Sequence, residues 1–378
     1  MGRRARRSKV TAHLGTSLLD SGWLARLARI SFLGTLDEHP RCRRASNRLE
    51  HSIGVAALAA DAADDLSLPP EVARCFVAAG LLHDVGHYPL SHAAEPAFAK
   101  LLGAGHHEVG RWIVLGDGPI PELRSLRPRL ERIGIDPQQV WAVIDGSPDA
   151  GSALAPLAQL LRAPINLDTL EGIRRVARDF HLSRRGKLPH RIFTWVAGKG
   201  GRELGIERAA LPAVDQFWLL KDRVYDQVIN LPSNILAEAR LCELVSAEIG
   251  PDVLGSLQTF DDGALRERLG EESLRRALLH GEDDSGYELW AQESYGEIVS
   301  SPGDGSDRRP VLVRTRKRYF VDQSVEPGID GLPLVGWRAR FRHERQRGWL
   351  VSRRQDQLTL PFPGEKRPAG LHREAPEI

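Results

Sequence analysis

Gly80–Glu95 reads GLLHDVGHYPLSHAAE, and the fold is decided by how this stretch ends one helix and turns into the next segment. The run before it, Pro70–Leu82 (PEVARCFVAAGLL), carries apolar residues at helical spacing and begins on a proline suited to a first helical turn. Gly80, Gly86 and Pro89 then punctuate the chain, so His83 and Asp84 are expected at a helix terminus. An adjacent histidine and aspartate at a buried helix end each carry a desolvation cost unless they are paired or bound to a metal. Upstream, RLEHSIGVAALAA (Arg48–Ala60) sets His51 on a helix with an apolar face. Downstream, HHE (His106–Glu108) and NLDTLEG (Asn166–Gly172) add further imidazoles and carboxylates.

His51, His83, Asp84 and Asp168 form a borderline-to-hard donor set of two imidazoles and two carboxylates. Such a set suits Mn²⁺, Fe²⁺, Zn²⁺ or Mg²⁺ and leaves coordination positions open for water and phosphate. A divalent ion held this way lowers the pKa of its water and polarises a phosphoryl oxygen, so the expected chemistry is phosphate hydrolysis. A leaving group then needs a proton. His87, His92 and His107 are the candidates, with Glu95 or Glu108 placed to orient one of them.

Taken together, R-x-E-H-S-x-G-V from Arg48, L-x-H-D-x-G-H-x-P-x-S-H from Leu81 and a later L-D at Leu167–Asp168 resemble the HD-domain hydrolases. Within these the resemblance is to the dNTP triphosphohydrolases, both the sterile-alpha-motif/HD-domain type and the bacterial dGTP triphosphohydrolases. It runs from about Leu19 to Leu244, with an echo at Arg314–Val325 (RTRKRYFVDQSV). The resemblance implies a mostly helical HD fold and frequent homo-oligomerisation. It assigns His51, His83, Asp84 and Asp168 as metal ligands and Arg48 as a phosphate contact. It places His87, His92, Glu95 and His107 in the catalytic neighbourhood, where a second Mg²⁺ or Mn²⁺ could bind. Tyr225, in R-V-Y, stands where the family keeps a substrate-binding tyrosine.

Departures from the pattern cluster at nucleotide contacts. Phe32-Leu33-Gly34 replaces a Q-L-G triplet, Gly172 and Val176 replace a Tyr and an Asp, and Phe217 replaces a basic residue. The expectation is retained hydrolysis with altered substrate choice, in a pocket made more open or more apolar. The leading reading is a dNTP triphosphohydrolase-like enzyme acting on a nucleotide. The alternatives are a phosphodiesterase or exonuclease acting on single-stranded nucleic acid or a dinucleotide, and a non-catalytic nucleotide-sensing module.

The remainder of the chain frames this centre. The fold class expected is mainly α, with a small β-hairpin insertion and a small α+β C-terminal appendage. Residues 1–15 read as a basic flexible tail and 16–250 as the HD-type domain. Helices are expected at Leu18–Leu33 and, long and amphipathic, at Val214–Ile249, with a hairpin near 191–207 around Gly-Lys-Gly-Gly. Residues 251–360 read as the appendage and 361–378 as a disordered tail rich in proline, glycine and charge. With 52 Lys+Arg against 50 Asp+Glu the formal charge is only +2, so bulk electrostatics announce no nucleic-acid binder. Arg174 and Arg175, further along the same helix as Asp168, could reach phosphate or could line a solvated face. Three cysteines without C-x-x-C spacing exclude a thiolate zinc site and a disulfide framework. No signal-peptide-like or membrane-length apolar run occurs, and a cytoplasmic location is expected.

Overall fold

The computed structural model describes residues 2–149, 151–163, 165–182, 191–198, 201–278, 286–294, 312–321, 331–334 and 341–353. Its centre is a pair of helices, α3 (Arg48–Asp65) and α4 (Pro70–Leu82), joined by a four-residue link at 66–69. The Asn47 side chain caps α3 by accepting from Glu50 N at 2.9 Å, and Pro70 occupies the first turn of α4. Alanines and a glycine line the contact. A Cβ added at Gly80 would sit 3.3 Å from both Ala56 Cα and Ala59 Cβ, so the two backbones pack closely. In a helical hairpin the start of the first helix lies beside the end of the second. This brings His51, in the first turn of α3, next to His83, the C-cap of α4.

Around this pair lie α1 (Arg3–Leu14), α2 (Gly22–Leu27), α5 (Glu95–Leu102), α6 (His106–Leu115), α7 (Arg127–Arg132), α8 (Pro137–Asp145), α9 (Ala155–Arg162) and α10 (Leu167–Asp179). Helix α10 packs on α3, α8 on α4, and α1 on both. The chain continues through β1 (Phe193–Gly198), β2 (Gly201–Glu207), α11 (Leu211–Val224), α12 (Pro232–Glu248), α13 (Asp262–Leu269) and α14 (Glu271–Ala277). Strands β3 (Tyr287–Ser294), β4 (Leu312–Val321), β5 (Gly331–Pro333) and β6 (Phe341–Arg353) complete the described elements. The fold is mainly helical, as expected, with two three-stranded antiparallel sheets in the orders β1-β2-β5 and β3-β6-β4. No helix among the described residues is long and apolar enough to cross a membrane.

Four expectations are corrected. Residues 3–14 are not a flexible tail: they form α1, which buries Val10 and Leu14 completely or nearly so in the core. The expected helix at Leu18–Leu33 contracts to α2, followed by a 3₁₀ turn at Gly34–Glu38. Gly34 has φ +61° there and packs against the Leu90 carbonyl, where a Cβ would clash. The long helix expected over Val214–Ile249 is broken into α11, a π-turn at Tyr225–Ile229 and α12, because Pro232 cannot supply the amide that a continuous helix needs. Lastly, the chain after 251 continues the helical body through α13 and α14 before β3 begins. Leu257, Leu265 and Leu274 are fully buried in the common core, and the Asp262 carboxylate accepts from Ser31 N and Leu90 N, each at 2.8 Å.

The hairpin at 191–207 is present, and β5 adds a third strand to it from far along the chain. Its turn residues 199–200, the Ser183–Lys187 run, the Ser300–Arg309 segment and the tail from 361 lie outside the described residues.

The glycine of the H-D-V-G-H run has a packing role. A Cβ on Gly86 would fall on His106 O and Gly110 N, both backbone atoms of α6 that cannot swing aside. Gly86→Ala is therefore expected to destabilise by about 3 kcal/mol, as overpacking against rigid backbone does. The expected result in a urea titration is a lower midpoint at unchanged slope; a wild-type midpoint would show that α6 can retreat.

Candidate metal centre

Four elements converge on the same point: the start of α3, the end of α4, the turn after it and the start of α10. His51 Nε2 lies 3.0 Å from Asp168 Oδ1 and 3.5 Å from Asp84 Oδ2. His83 Nε2 lies 3.3 Å from Asp84 Oδ1 and 3.9 Å from Asp168 Oδ1. The donor atoms of His51, His83 and Asp168 all fall within 4.8 Å of one another. Asp168 reaches this point because Asn166 caps α10, its side chain accepting from Thr169 N at 2.6 Å and fixing the first turn.

Buried imidazole nitrogens without hydrogen-bond partners are the test of whether a metal fits. His51 is fully buried, and its Nε2 makes no hydrogen bond of acceptable geometry; the same holds for His83 Nε2. Each ring is anchored through its other nitrogen, His83 Nδ1 to Gly80 O at 3.0 Å and His51 Nδ1 to Glu171 Oε2 at 2.8 Å. A ring that donates through Nδ1 presents the Nε2 lone pair, the form a cation requires. The donor set fits a divalent cation.

The carboxylates are held ionised. Burial opposes charge on Asp84, but His83, His87 and Arg48 keep its carboxyl well below the usual range. Burial likewise opposes protonation of His51, yet the neighbouring carboxylates of Asp168 and Glu171 push it up to about 9. Such a surplus of negative charge around imidazoles is what a cation would neutralise.

Beside this centre is a second cluster of His87, His92, Glu95 and His106, whose donor atoms also lie within 4.8 Å of one another. Glu95 Oε2 accepts from His92 Nδ1 at 2.8 Å, and its other oxygen is bonded by His106 Nδ1 and by His106 N. Despite burial, the two histidines hold the Glu95 carboxyl far below its ordinary value, and Glu95 in turn raises that of His106. The His87 ring stacks on His106 at 4.1 Å, and its Nε2 lies 3.3 Å from Asp84 Oδ1, so His87 joins the two clusters.

Residues 48–118 match the family model described as the HD domain. Over that stretch the chain is similar to the HD domain. An uncharacterized protein of Mycoplasma pneumoniae is 25% identical over 240 residues, covering 59% of this chain and 53% of that one. The uncharacterized protein YwfO of Bacillus subtilis is 27% identical over 232 residues, covering 58% and 48%. The chain thus spans about half the length of the curated relatives it matches. Among solved structures, a phosphohydrolase of Bacteroides thetaiotaomicron superposes with a TM-score of 0.62 at 16% identity, over 90% of this chain and 96% of that one. A hypothetical protein of Aquifex aeolicus gives 0.63 at 14%, over 89% and 92%. At these identities the likeness is one of fold.

The fold brings together His51, His83, Asp84 and Asp168, and beside them His87, His92 and Glu95. It does not bring in His107. That ring packs on Trp141 at 4.8 Å, with its Nε2 2.7 Å from Arg162, while its neighbour His106 enters the cluster. Two consecutive helical residues point about 100° apart, and periodicity could not say which faced inward. Glu108 does not orient a histidine: its carboxylate caps α6 by accepting from Gly105 N at 2.9 Å. Arg48 is buried and already engaged, donating to Asp84 Oδ2 and Ser91 Oγ at 2.7 Å and to Phe32 O at 3.1 Å. Tyr225 opens the π-turn after α11 and packs half-buried against the core.

Of the two expectations for the replaced positions, Phe32 makes the pocket wall more apolar and not more open. Phe32, Val176 and Phe217 are buried. The Phe32 ring lies 4.6 Å from that of His51 and 4.8 Å from the Arg48 guanidinium carbon. A Cβ on Gly172 would meet Phe32 Cζ at 3.4 Å and His51 Cε1 at 3.8 Å, so the aromatic ring takes space that only a small residue opposite leaves free.

Glu171 was missed by sequence reasoning, although it lies three residues after Asp168, one turn along the same face. Gly54 admits it, since a Cβ there would be 2.5 Å from Glu171 Oε1. Arg175 holds it, with Nε to Oε2 at 2.9 Å and a terminal nitrogen to Oε1 at 2.5 Å. Arg175 is thereby buried and committed to this ion pair, not to phosphate.

Burial opposes ionisation of Glu171, but the hydrogen bond from His51 and the charges of His51 and Arg175 outweigh it and hold the carboxyl at about 2. A depressed carboxyl contributes stability that is full above the ordinary value of 4.5 and is lost as pH falls toward 2. In Glu171→Gln the acid limb of the metal-free protein is therefore expected to flatten across that window. Its affinity for Mn²⁺, read by titration calorimetry at neutral pH, is expected to drop by about 10- to 100-fold. Wild-type affinity would mean that the His51 ring is set by other groups.

Proposed function

We propose that this protein is a metal-dependent phosphohydrolase that acts on a nucleotide, with dNTP triphosphohydrolase-like chemistry as the leading form. The observation that carries the reading is the pair of buried, unshared Nε2 atoms of His51 and His83 aimed at the carboxylates of Asp84 and Asp168. The HD domain and the phosphohydrolase of like fold support the reaction class. His51, His83, Asp84 and Asp168 would hold the cation, with Mn²⁺, Fe²⁺ or Zn²⁺ suited to the donors. When bound, it supplies Lewis acidity toward a phosphoryl oxygen and acidifies an attacking water.

The chain's own groups account for the rest. Arg48, tied to Asp84, fixes one ligand and adds positive charge where phosphate would lie. His92 is half-exposed and is oriented by Glu95, the geometry of a general acid that protonates the departing oxygen as the bond to phosphorus breaks. Glu95 stays ionised and holds the imidazole in place.

For the nucleic-acid alternative, the basic N-terminus would have to offer free cations to phosphates. Three of its cations, Arg3, Arg6 and Lys9, are instead paired with carboxylates of the same chain, which favours a small substrate. Homo-oligomerisation and a cytoplasmic setting remain part of the proposal.

The test is phosphate and nucleoside release from a panel of dNTPs, NTPs, monophosphates and labelled oligonucleotides, with Mn²⁺, Fe²⁺, Zn²⁺ or Mg²⁺ and with chelator. The expected outcome is turnover of a nucleotide that chelator abolishes, background activity in Asp84→Ala, and a loss of about 10²- to 10⁴-fold in kcat for His92→Ala. Undiminished turnover by Asp84→Ala would sink the assignment.

A further inference from the structure

The first helix of the chain reaches the metal centre. Helix α1 is docked by Val10 and Leu14, which are buried in the core against α3 and α4. Its cations at successive turns each meet an acid: Arg3 pairs with Glu50 of α3, Arg6 with Glu171 of α10, and Lys9 with Asp61 of α3, with Asp64 at 3.3 Å. This ladder sets the register in which Arg6 donates to Glu171 Oε1 at 2.9 Å, across 165 positions of sequence.

We propose that Arg6 is a positioning residue for the metal centre, holding Glu171 in the orientation that fixes the His51 imidazole. The inference rests on the metal-centre reading above. Glu171 spends Oε2 on His51 Nδ1 and on Arg175 Nε, and Oε1 on Arg175 and on Arg6. Arg175 comes from the same helix four residues on and is itself tied to α3, donating to Glu50 O at 2.9 Å. Arg6 is the anchor from outside α3 and α10, a further hold on Oε1 that keeps the carboxylate from turning away from His51. Being only partly buried, with its side chain 29% exposed, it is also the contact that solvent and salt can weaken. The opening residues of the chain therefore belong to the site, and whatever lifts α1 loosens the hold on the cation.

The experiment uses the full chain, stripped with chelator and titrated with Mn²⁺ by calorimetry, in wild type, Arg6→Gln, Arg6→Lys and Arg4→Gln, the last altering an exposed neighbour on the same helix. Melting temperature is followed in parallel. Arg6→Gln is expected to melt with wild type but to bind Mn²⁺ about three- to tenfold more weakly, less than expected for losing Glu171 itself, since it acts one contact further out. Arg6→Lys should recover much of the affinity, and Arg4→Gln should match wild type. If Arg6→Gln lowers the melting temperature, Arg6→Met keeps the aliphatic stem in place and removes only the charge, and the same weakening is expected of it. Wild-type affinity in a folded Arg6 variant, or equal losses in Arg6→Gln and Arg4→Gln, overturns the proposal. His51→Ala serves as the reference: if it too binds Mn²⁺ normally, the metal-centre reading has failed and not merely the role of Arg6.

Discussion

A histidine buried completely, with one nitrogen hydrogen-bonded and the other facing two carboxylates, is a costly thing for a protein to keep in its interior. His51 is such a residue, and much of the surrounding architecture serves to hold it. The small residues between α3 and α4 let those helices close enough to set His51 beside His83. Gly54 lets α10 come near enough for Glu171 to accept a hydrogen bond from His51 Nδ1. Arg175 and Arg6 then neutralise Glu171. Each link is a consequence of satisfying the one before it, and the chain of demands ends at the surface, where Arg6 meets solvent.

The centre divides into two sets of groups that share His87. On one side the imidazoles are anchored through Nδ1 and present bare nitrogens. On the other, Glu95 accepts from two imidazoles and is thereby kept ionised. Histidine serves both purposes because its two nitrogens can be assigned opposite roles, and the assignment follows from which carboxylate or carbonyl each ring meets. Close packing of α6 on the turn at Gly86 is what carries His106 into the second set.

Around these groups the pocket wall is defined by aromatic packing. Phe32 lies against His51 and Arg48, and Gly172 is small enough to leave it room. Read singly, an aromatic in place of a polar residue and a glycine in place of a large one suggest a widened pocket. Packed together they compensate, one supplying the volume the other gives up.

The sequence by itself determined the helical class, the helical character of the runs that became α3 and α4, and the nomination of His51, His83, Asp84, Asp168, His87, His92 and Glu95. Those are consequences of local periodicity and of residue types that are expensive to bury, and both are written along the chain. Only the tertiary structure decided that His106 and not His107 faces inward, that Arg48 and Arg175 are committed to carboxylates, and that Glu171 orients His51. It alone showed that Val10 and Leu14 anchor a basic segment that reads as solvated, and that Asp262 ties residues beyond 251 to Ser31 and Leu90. These are contacts between residues distant in sequence. A charged side chain looks the same in a sequence whether it meets water or a buried partner 165 positions away, and only the packing of the helices says which.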